Sequence, residues 1–171
     1  MNSDGRCRRY PTTPHEIAQQ SRPPPISIHG ALHHTRAMNS PSPISVVKVL
    51  LVEDYAPIRA QLEQWVLTIP GATIVGTADN PDDALDVIGA TQPDVVVVDL
   101  QLKSGTSGLT VLESLHDRAP SAVAVVLSNL VYPQIRQACF DLGARYVLDK
   151  AGEAFRLREA ILDIAAGKRP T

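Results

Sequence analysis

Five side chains in this 171-residue sequence stand where chemistry would need them: Glu53, Asp54, Asp99, Ser128 and Lys150. Glu53 and Asp54 are adjacent and close the apolar run Val46–Val52, which a single lysine interrupts. Asp99 closes four consecutive valines, Val95–Val98. Ser128 follows Ala122–Leu127, and Lys150 follows Arg145–Leu148 and Asp149. Two neighbouring carboxylates repel each other unless something positive lies between them and a partner. Three carboxylates brought together favour a hard divalent cation, and with few ligands and open positions Mg²⁺ suits them better than Ca²⁺. A lysine and a hydroxyl nearby can neutralise and hydrogen-bond phosphoryl oxygens in flight. One of the carboxylates can then act as nucleophile and become an aspartyl phosphate. Asp99 is the candidate, because it ends the third of five apolar runs and would be central in a sheet.

The elements that must position these groups follow from the hydrophobic pattern. Between the apolar runs lie stretches with helical spacing. They are Ile58, Leu62, Trp65, Val66 and Ile69; then Ala84, Val87 and Ile88; then Leu109, Leu112 and Leu115; then Ile135, Ala138, Cys139 and Leu142; and last Leu157, Ile161, Ile164 and Ala165. Pro57 suits the first turn of the first helix, which Pro70-Gly71 ends. Asn80-Pro81-Asp82-Asp83 reads as a helix start, with a cap, a proline at the first position and acids favoured by the helix dipole. A second apolar run, Ala72–Ala78, completes five strand–helix pairs, and Asp79 starts the loop after it.

Strict alternation with unbroken Val/Ile/Leu strands predicts a parallel sheet covered on both faces. The fold class is α/β, a doubly wound flavodoxin-like (βα)5 sheet of order 2-1-3-4-5. Ligands bind such sheets beyond the carboxyl ends of the strands. Four of the five strand ends deliver polar or charged groups to that rim. No glycine-rich phosphate loop follows the first strand, and the loop Gly105-Thr106-Ser107-Gly108 after the third lacks the lysine of a P-loop.

Residues 1–44 have a different character. They hold half of the 14 prolines, including Pro23-Pro24-Pro25, and four of the five histidines. Residues 1–37 carry five Arg and two acids, about +3, whereas the remainder carries −5 within a net charge of −2. Such a segment cannot bury enough apolar surface to offset its ordering entropy. The expectation is a disordered or spurious extension, with translation starting at Met38 or residues 1–44 dispensable, then one domain over residues 45–167 and a short tail at 168–171. The pair His33-His34 lacks the companions that a metal site needs. No apolar run reaches the roughly 18–20 residues of a membrane span, and the first forty residues lack the apolar core of a signal peptide. Cys7 and Cys139 lie in unlike contexts, which fits a reducing cytoplasm. Cys139 belongs to an apolar helix face, and Trp65 is expected to pack the first helix.

The stretches "VLLVEDY", "PDVVVVDLQL", "VVLSN" and "GARYVLDK" resemble the response-regulator receiver domains of bacterial two-component signalling, over about residues 45–167. The resemblance implies that Glu53, Asp54 and Asp99 hold Mg²⁺, helped by the backbone carbonyl of Gln101. It implies that Asp99 accepts a phosphoryl group and that Ser128 and Lys150 contact it. The donor is a phosphohistidine of a sensor histidine kinase or a His-phosphotransfer protein. The stretch "DLGARYVLDK" with a trailing acid is similar to stand-alone receivers, and the end of the chain at Thr171 leaves no room for an output domain. A cytoplasmic protein follows, a signalling receiver and not an enzyme, with an unknown downstream protein partner and no direct binding to nucleic acid or membrane.

The departures are local. Asn129 stands where a small residue is usual, and Ala151 replaces the proline after the lysine, which puts the usual cis bond in doubt. Val147 occupies the position of the switch aromatic, three before Lys150, and Tyr146 is one earlier. Either Tyr146 takes the switch role through a local shift, or the switch is absent. The surface around Tyr132, Gln134, Arg136 and Tyr146 is the expected output face. Two alternatives remain: a degenerate receiver that only binds a partner, and a phosphate sink.

Overall fold

The computed structural model describes residues 46–167; the expectations for residues 1–44 and for the tail at 168–171 lie outside this range. Five strands, β1 (Val47–Val52), β2 (Ala72–Ala78), β3 (Val95–Val98), β4 (Val123–Ser128) and β5 (Ala144–Asp149), form one parallel sheet in the order β2-β1-β3-β4-β5. Five helices alternate with them: α1 (Ala56–Leu67), α2 (Pro81–Thr91), α3 (Leu109–Arg118), α4 (Pro133–Asp141) and α5 (Arg156–Ala165). A 3₁₀ turn, Lys103–Gly105, lies between β3 and α3. The predicted fold class and strand order are both found.

Why the strands read as continuous apolar runs is visible in the two cores. Side chains alternate across a strand. Val49 and Leu51 of β1 and Val95 and Val97 of β3 join Leu62, Val66, Leu157 and Ile161 under α1 and α5. Leu50, Val52, Val96 and Val98 join Ile88, Leu112, Leu115 and Cys139 under α2, α3 and α4. Each face of the sheet is covered, so the central strand β3 is apolar and buried throughout, while the edge strand β2 keeps an exposed Thr77.

Local signals set the helix limits. The Asn80 side chain accepts a hydrogen bond from the Asp83 N–H at 2.9 Å, and Pro81, Asp82 and Asp83 occupy the first turn of α2. At the other end Gln92 adopts a left-handed backbone, φ 47°. Its side-chain amide donates to the carbonyls of Ile88, Gly89 and Arg118, which ties the end of α2 to that of α3. In α1 the buried residues are Leu62 and Val66, while Trp65 is 38% exposed. A helix advances about 100° per residue, so Trp65 falls on the flank of the stripe that Leu62, Val66 and Ile69 press inward. The expectation that Trp65 packs as part of the core face is corrected accordingly.

Strand β5 contains an irregularity the sequence did not announce. Ala124 of β4 pairs with Ala144, but the next residue, Val125, pairs with Tyr146. Arg145 is the extra residue of a bulge. Beyond it the faces are exchanged: Tyr146 packs on the α1/α5 side and Val147 is buried on the α2–α4 side.

The loop after β3 passes very close to the strand it leaves. The Gly108 N–H donates to the Leu100 carbonyl at 3.1 Å. A Cβ on Gly108 would lie 2.1 Å from the Asp99 carbonyl oxygen and 2.6 Å from Val98 Cγ1. Gly89, inside α2, has open space around its missing Cβ. Gly108→Ala should therefore lower stability by about 2 kcal/mol through overpacking, while Gly89→Ala should raise it by up to about 1 kcal/mol through helix propensity. Urea denaturation of both variants checks this; equal midpoints would refute the close approach.

Candidate functional site

The carboxyl ends of β1, β3 and β5 meet at one point. The Asp99 N–H donates to the Val52 carbonyl at 2.9 Å, and the Glu53 N–H donates to the Ala78 carbonyl at 3.0 Å. These ladder bonds continue the parallel pairing past the strands and hold the two acids side by side. Glu53 is 2% exposed and Asp99 6%. Lys150, at the end of β5, reaches across β4. Its ammonium donates to Glu53 Oε2 at 2.6 Å and to Asp99 Oδ2 at 2.5 Å. Asp54 completes the acidic set: one carboxylate oxygen from each of Glu53, Asp54 and Asp99 lies within 4.8 Å of the others.

Backbone groups fix the orientation of each acid. The Gln101 N–H donates to Asp99 Oδ1 at 3.1 Å, and the Tyr55 N–H donates to Glu53 Oε1 at 3.3 Å. Arg59, in the second turn of α1, donates to the Glu53 carbonyl at 2.7 Å and ties the helix to the rim. Glu53, Asp54, Asp99, Gln101, Asn129 and Lys150 line an open cleft of about 540 Å³.

The charge balance of this cluster is uneven. Burial pushes the Glu53 carboxyl above its ordinary range, more than Lys150 pulls it down. Burial also acts to lower the Lys150 ammonium, but its hydrogen bonds to Asp99 and Glu53 and their charges together outweigh that and raise it. The two shifts thus differ in cause: burial prevails at Glu53, and the neighbouring carboxyl groups prevail at Lys150. Counting Asp54, three carboxyl groups face one ammonium, a deficit of two cationic groups. Oxygen donors, close spacing, the size of that deficit and an open side for water fit a hydrated Mg²⁺. Glu53, Asp54 and Asp99 are the side chains that would hold it.

Not every expected residue faces the cleft. Ser128 stands at the predicted strand end, and its carbonyl accepts from the Lys150 N–H at 3.1 Å. Its side chain is fully buried, however, and Oγ accepts from the Leu130 N–H at 3.3 Å. Asn129 lines the cleft instead. Tyr146 does shift locally, but the bulge at Arg145 sends it to the α1/α5 side, so it does not occupy the α4 side where Val147 is buried. Among the described residues no peptide bond is cis, that before Ala151 included. Trp65 lies on another groove, beside Phe155.

Around Tyr132 and Arg136, some side chains are free to solvent and others are engaged. Tyr132 is 65% exposed and Gln134 is exposed as well. Arg136 donates to the Val147 carbonyl and pairs with Glu153 at 3.2 Å. Glu153 also accepts from the Asp149 N–H at 3.0 Å and pairs with Arg156 at 2.8 Å. The bond from the Asp149 N–H is the main cause that keeps the Glu153 carboxyl below its ordinary range, against its burial and helped by both arginines. Arg59, Arg145 and Glu153 were not singled out from sequence, since each acts through a contact that no local pattern marks.

A doubly wound sheet with an acidic, lysine-bridged cleft at its topological switch point defines a class of domain that handles a cation and a phosphoryl group at one rim. The sequence pattern of the response regulator receiver domain matches residues 49–162, and the chain belongs to that family. It is 28% identical over 120 residues to the nitrate/nitrite response regulator protein NarL of Escherichia coli K12, covering 70% of this chain and 55% of that protein. It is 31% identical over 119 residues to protein-glutamate methylesterase/protein-glutamine glutaminase 4 of Anaeromyxobacter dehalogenans, covering 69% of this chain and 33% of the relative. The chain thus spans about half or less of the length of these curated relatives. A crystal structure of a response regulator protein from Burkholderia pseudomallei, with a phosphorylated aspartic acid, a calcium ion and citrate, superimposes with a TM-score of 0.61 at 26% identity, covering 71% of this chain and 69% of that one. Receiver domains bind Mg²⁺ at an acidic pocket of this kind and accept a phosphoryl group on an aspartate.

If Asp54 contributes an oxygen to the ion, Asp54→Ala should weaken Mg²⁺ binding at least about tenfold, equivalent to about 1.4 kcal/mol. Isothermal calorimetry reads this directly, and an unchanged dissociation constant would remove Asp54 from the site.

Proposed function

We propose that this chain is a single-domain response regulator that takes a phosphoryl group on Asp99 from the phosphohistidine of a sensor histidine kinase or a His-phosphotransfer protein. The observation that carries the reading is the Asp99 carboxylate. It is buried on all sides but the cleft, oriented by the Gln101 N–H, and lies 2.5 Å from the Lys150 ammonium. An Asp99 oxygen attacks phosphorus, the new O–P bond forms as the P–N bond to the donor imidazole breaks, and the electron pair returns to that nitrogen. Lys150 neutralises phosphoryl oxygens as they arrive. Mg²⁺, when bound by Glu53, Asp54, Asp99 and the Gln101 carbonyl, adds the positive charge that the acidic set lacks.

None of the acids, the phosphoacceptor or the lysine is missing, which favours a phosphorylatable receiver over a degenerate binding module. The phosphorylated aspartic acid of the Burkholderia protein supports the same reading. The methylesterase relatives share their receiver-like part with this chain, and we assign it no such activity; phosphotransfer to its own aspartate and loss of that group are the reactions proposed. The single-domain reading rests on the resemblance of residues 141–150 to stand-alone receivers. Among the described residues no helix is long and apolar enough to cross a membrane, and we propose a cytoplasmic location. A separate protein reads the output face. Direct contact with nucleic acid is not expected, because residues 46–167 hold nine Lys and Arg against sixteen Asp and Glu.

Incubation with Mg²⁺ and acetyl phosphate should raise the intact mass by one phosphoryl group, and Asp99→Asn should abolish the gain. Equal labelling of that variant would overturn the assignment.

Ser128 carries the coupling in this proposal: its hydroxyl must leave the Leu130 N–H and turn to the phosphoryl group, because the stiff χ1 of Val147 cannot swing as a ring does. Ser128→Ala should keep phosphorylation yet lose much of the beryllofluoride-induced NMR shift change around Tyr132, Gln134, Arg136 and Tyr146. Intact shifts would remove Ser128 from the coupling. A wild type with no shifts beyond the acidic cleft would instead mark the chain as a phosphate sink.

A further inference from the structure

Strand β5 is an edge of the sheet, so one side of its backbone has no strand to pair with. The Lys150 N–H points inward, to the Ser128 carbonyl at 3.1 Å. Backbone groups alternate in direction along a strand, so those of Val147 and Asp149 point outward, away from β4. Two charged side chains take the place of the missing strand. Arg136 of α4 donates to the Val147 carbonyl, and Glu153 accepts from the Asp149 N–H at 3.0 Å. The two also pair with each other at 3.2 Å. An acceptor and a donor on the open edge are thus met as a sixth strand would meet them. Beyond Asp149 the chain must turn while Lys150 is aimed across β4. Neither Ala151 nor Gly152 restricts its own backbone as a proline would. Asp149 and Glu153 fix the turn instead. The Glu153 N–H donates to the Asp149 carbonyl at 2.7 Å, and the Ala151 N–H donates to Asp149 Oδ1 at 2.9 Å. The ammonium of Lys150 then stops at 2.6 Å from Glu53 Oε2 and 2.5 Å from Asp99 Oδ2. A lysine stem is flexible, so the fixed backbone of this turn decides where its charge arrives.

We propose that Glu153 is a positioning residue for phosphoryl transfer, acting through the Asp149 backbone to hold the Lys150 ammonium where arriving phosphoryl oxygens need it. The inference rests on the reading of Asp99 as phosphoacceptor and adds a residue outside the acidic cleft on which that reaction depends. Glu153 does not line the cleft, so its effect runs entirely through the turn. What the turn requires is an acceptor oxygen of the right reach, more than a negative charge. Glutamine keeps that oxygen without the charge. Aspartate keeps the charge on a stem one methylene shorter, which falls short of the Asp149 N–H.

The test follows phosphorylation of the full chain by acetyl phosphate at saturating Mg²⁺, read as intact mass against time. Glu153→Ala and Glu153→Asp should each slow the reaction by about tenfold or more, the scale on which a small misplacement of a reacting group acts. Glu153→Gln should keep most of the rate. A role for the charge alone would give the opposite order, with Glu153→Asp rescued and Glu153→Gln slow. Calorimetry should find Mg²⁺ affinity no weaker in any of the three, because the acids that would hold the ion are untouched; this separates a displaced lysine from a damaged cleft. A further readout needs no phosphorylation. In proton–nitrogen NMR of the unphosphorylated chain, the Lys150 ammonium signal should shift or broaden in Glu153→Ala and Glu153→Asp and stay in place in Glu153→Gln. Wild-type rates in the alanine and aspartate variants, an unmoved Lys150 signal, or a loss of Mg²⁺ affinity that parallels the loss of rate would each overturn the proposal. A wild type that gains no phosphoryl mass would overturn the reading of Asp99 instead, and the ammonium signal would still decide the place of Glu153.

Discussion

The bridge from Lys150 to Glu53 and Asp99 is the constraint around which the domain is arranged. Its ammonium has 13% of its side-chain surface exposed and its partners 2% and 7%. Charges withdrawn from water to this degree are tolerated only when paired and hydrogen-bonded, and losing one partner of such a set typically costs about 3–5 kcal/mol. The three residues come from β1, β3 and β5, so their pairing requires that those strands end at the same level. The parallel ladder supplies that level, and the Glu53 and Asp99 N–H bonds extend it one residue past each strand.

The same bridge leaves the site poised. One lysine between two buried carboxylates satisfies hydrogen bonds without balancing charge. The cluster is thus stable enough to fold and acidic enough to draw a divalent cation. The close pass of Gly108 over the Asp99 backbone belongs to the same arrangement, because it lets the β3–α3 loop shelter the acid without covering its carboxylate.

Much of this was legible in the residues. Four valines in a row can be soluble only if both faces of their strand are covered, so Val95–Val98 announced a parallel sheet, and the groups following each run then had to share a rim. The Asn80–Asp83 start of α2 was likewise complete in itself. Boundaries moved by a residue: β4 is Val123–Ser128 where Ala122–Leu127 was read, since a terminal hydroxyl can pair through its backbone whatever its side chain does. Less legible were properties that depend on neighbours distant in sequence. The burial of the Ser128 hydroxyl depends on the turn to Leu130. The exposure of Trp65 depends on how wide a stripe the sheet accepts from α1, and the grip of Glu153 depends on two arginines from different helices.

The bulge in β5 inverts a simple count. Strand positions carry a parity, and one inserted residue reverses it for everything downstream. Ala144 and Tyr146, two apart, would share a face in a regular strand, yet here they lie on opposite sides of the sheet. Counting in twos from Ala144 therefore assigns Tyr146 and Leu148 to the face that Val147 in fact occupies, and only a count begun beyond Arg145 recovers the layer against which each side chain packs.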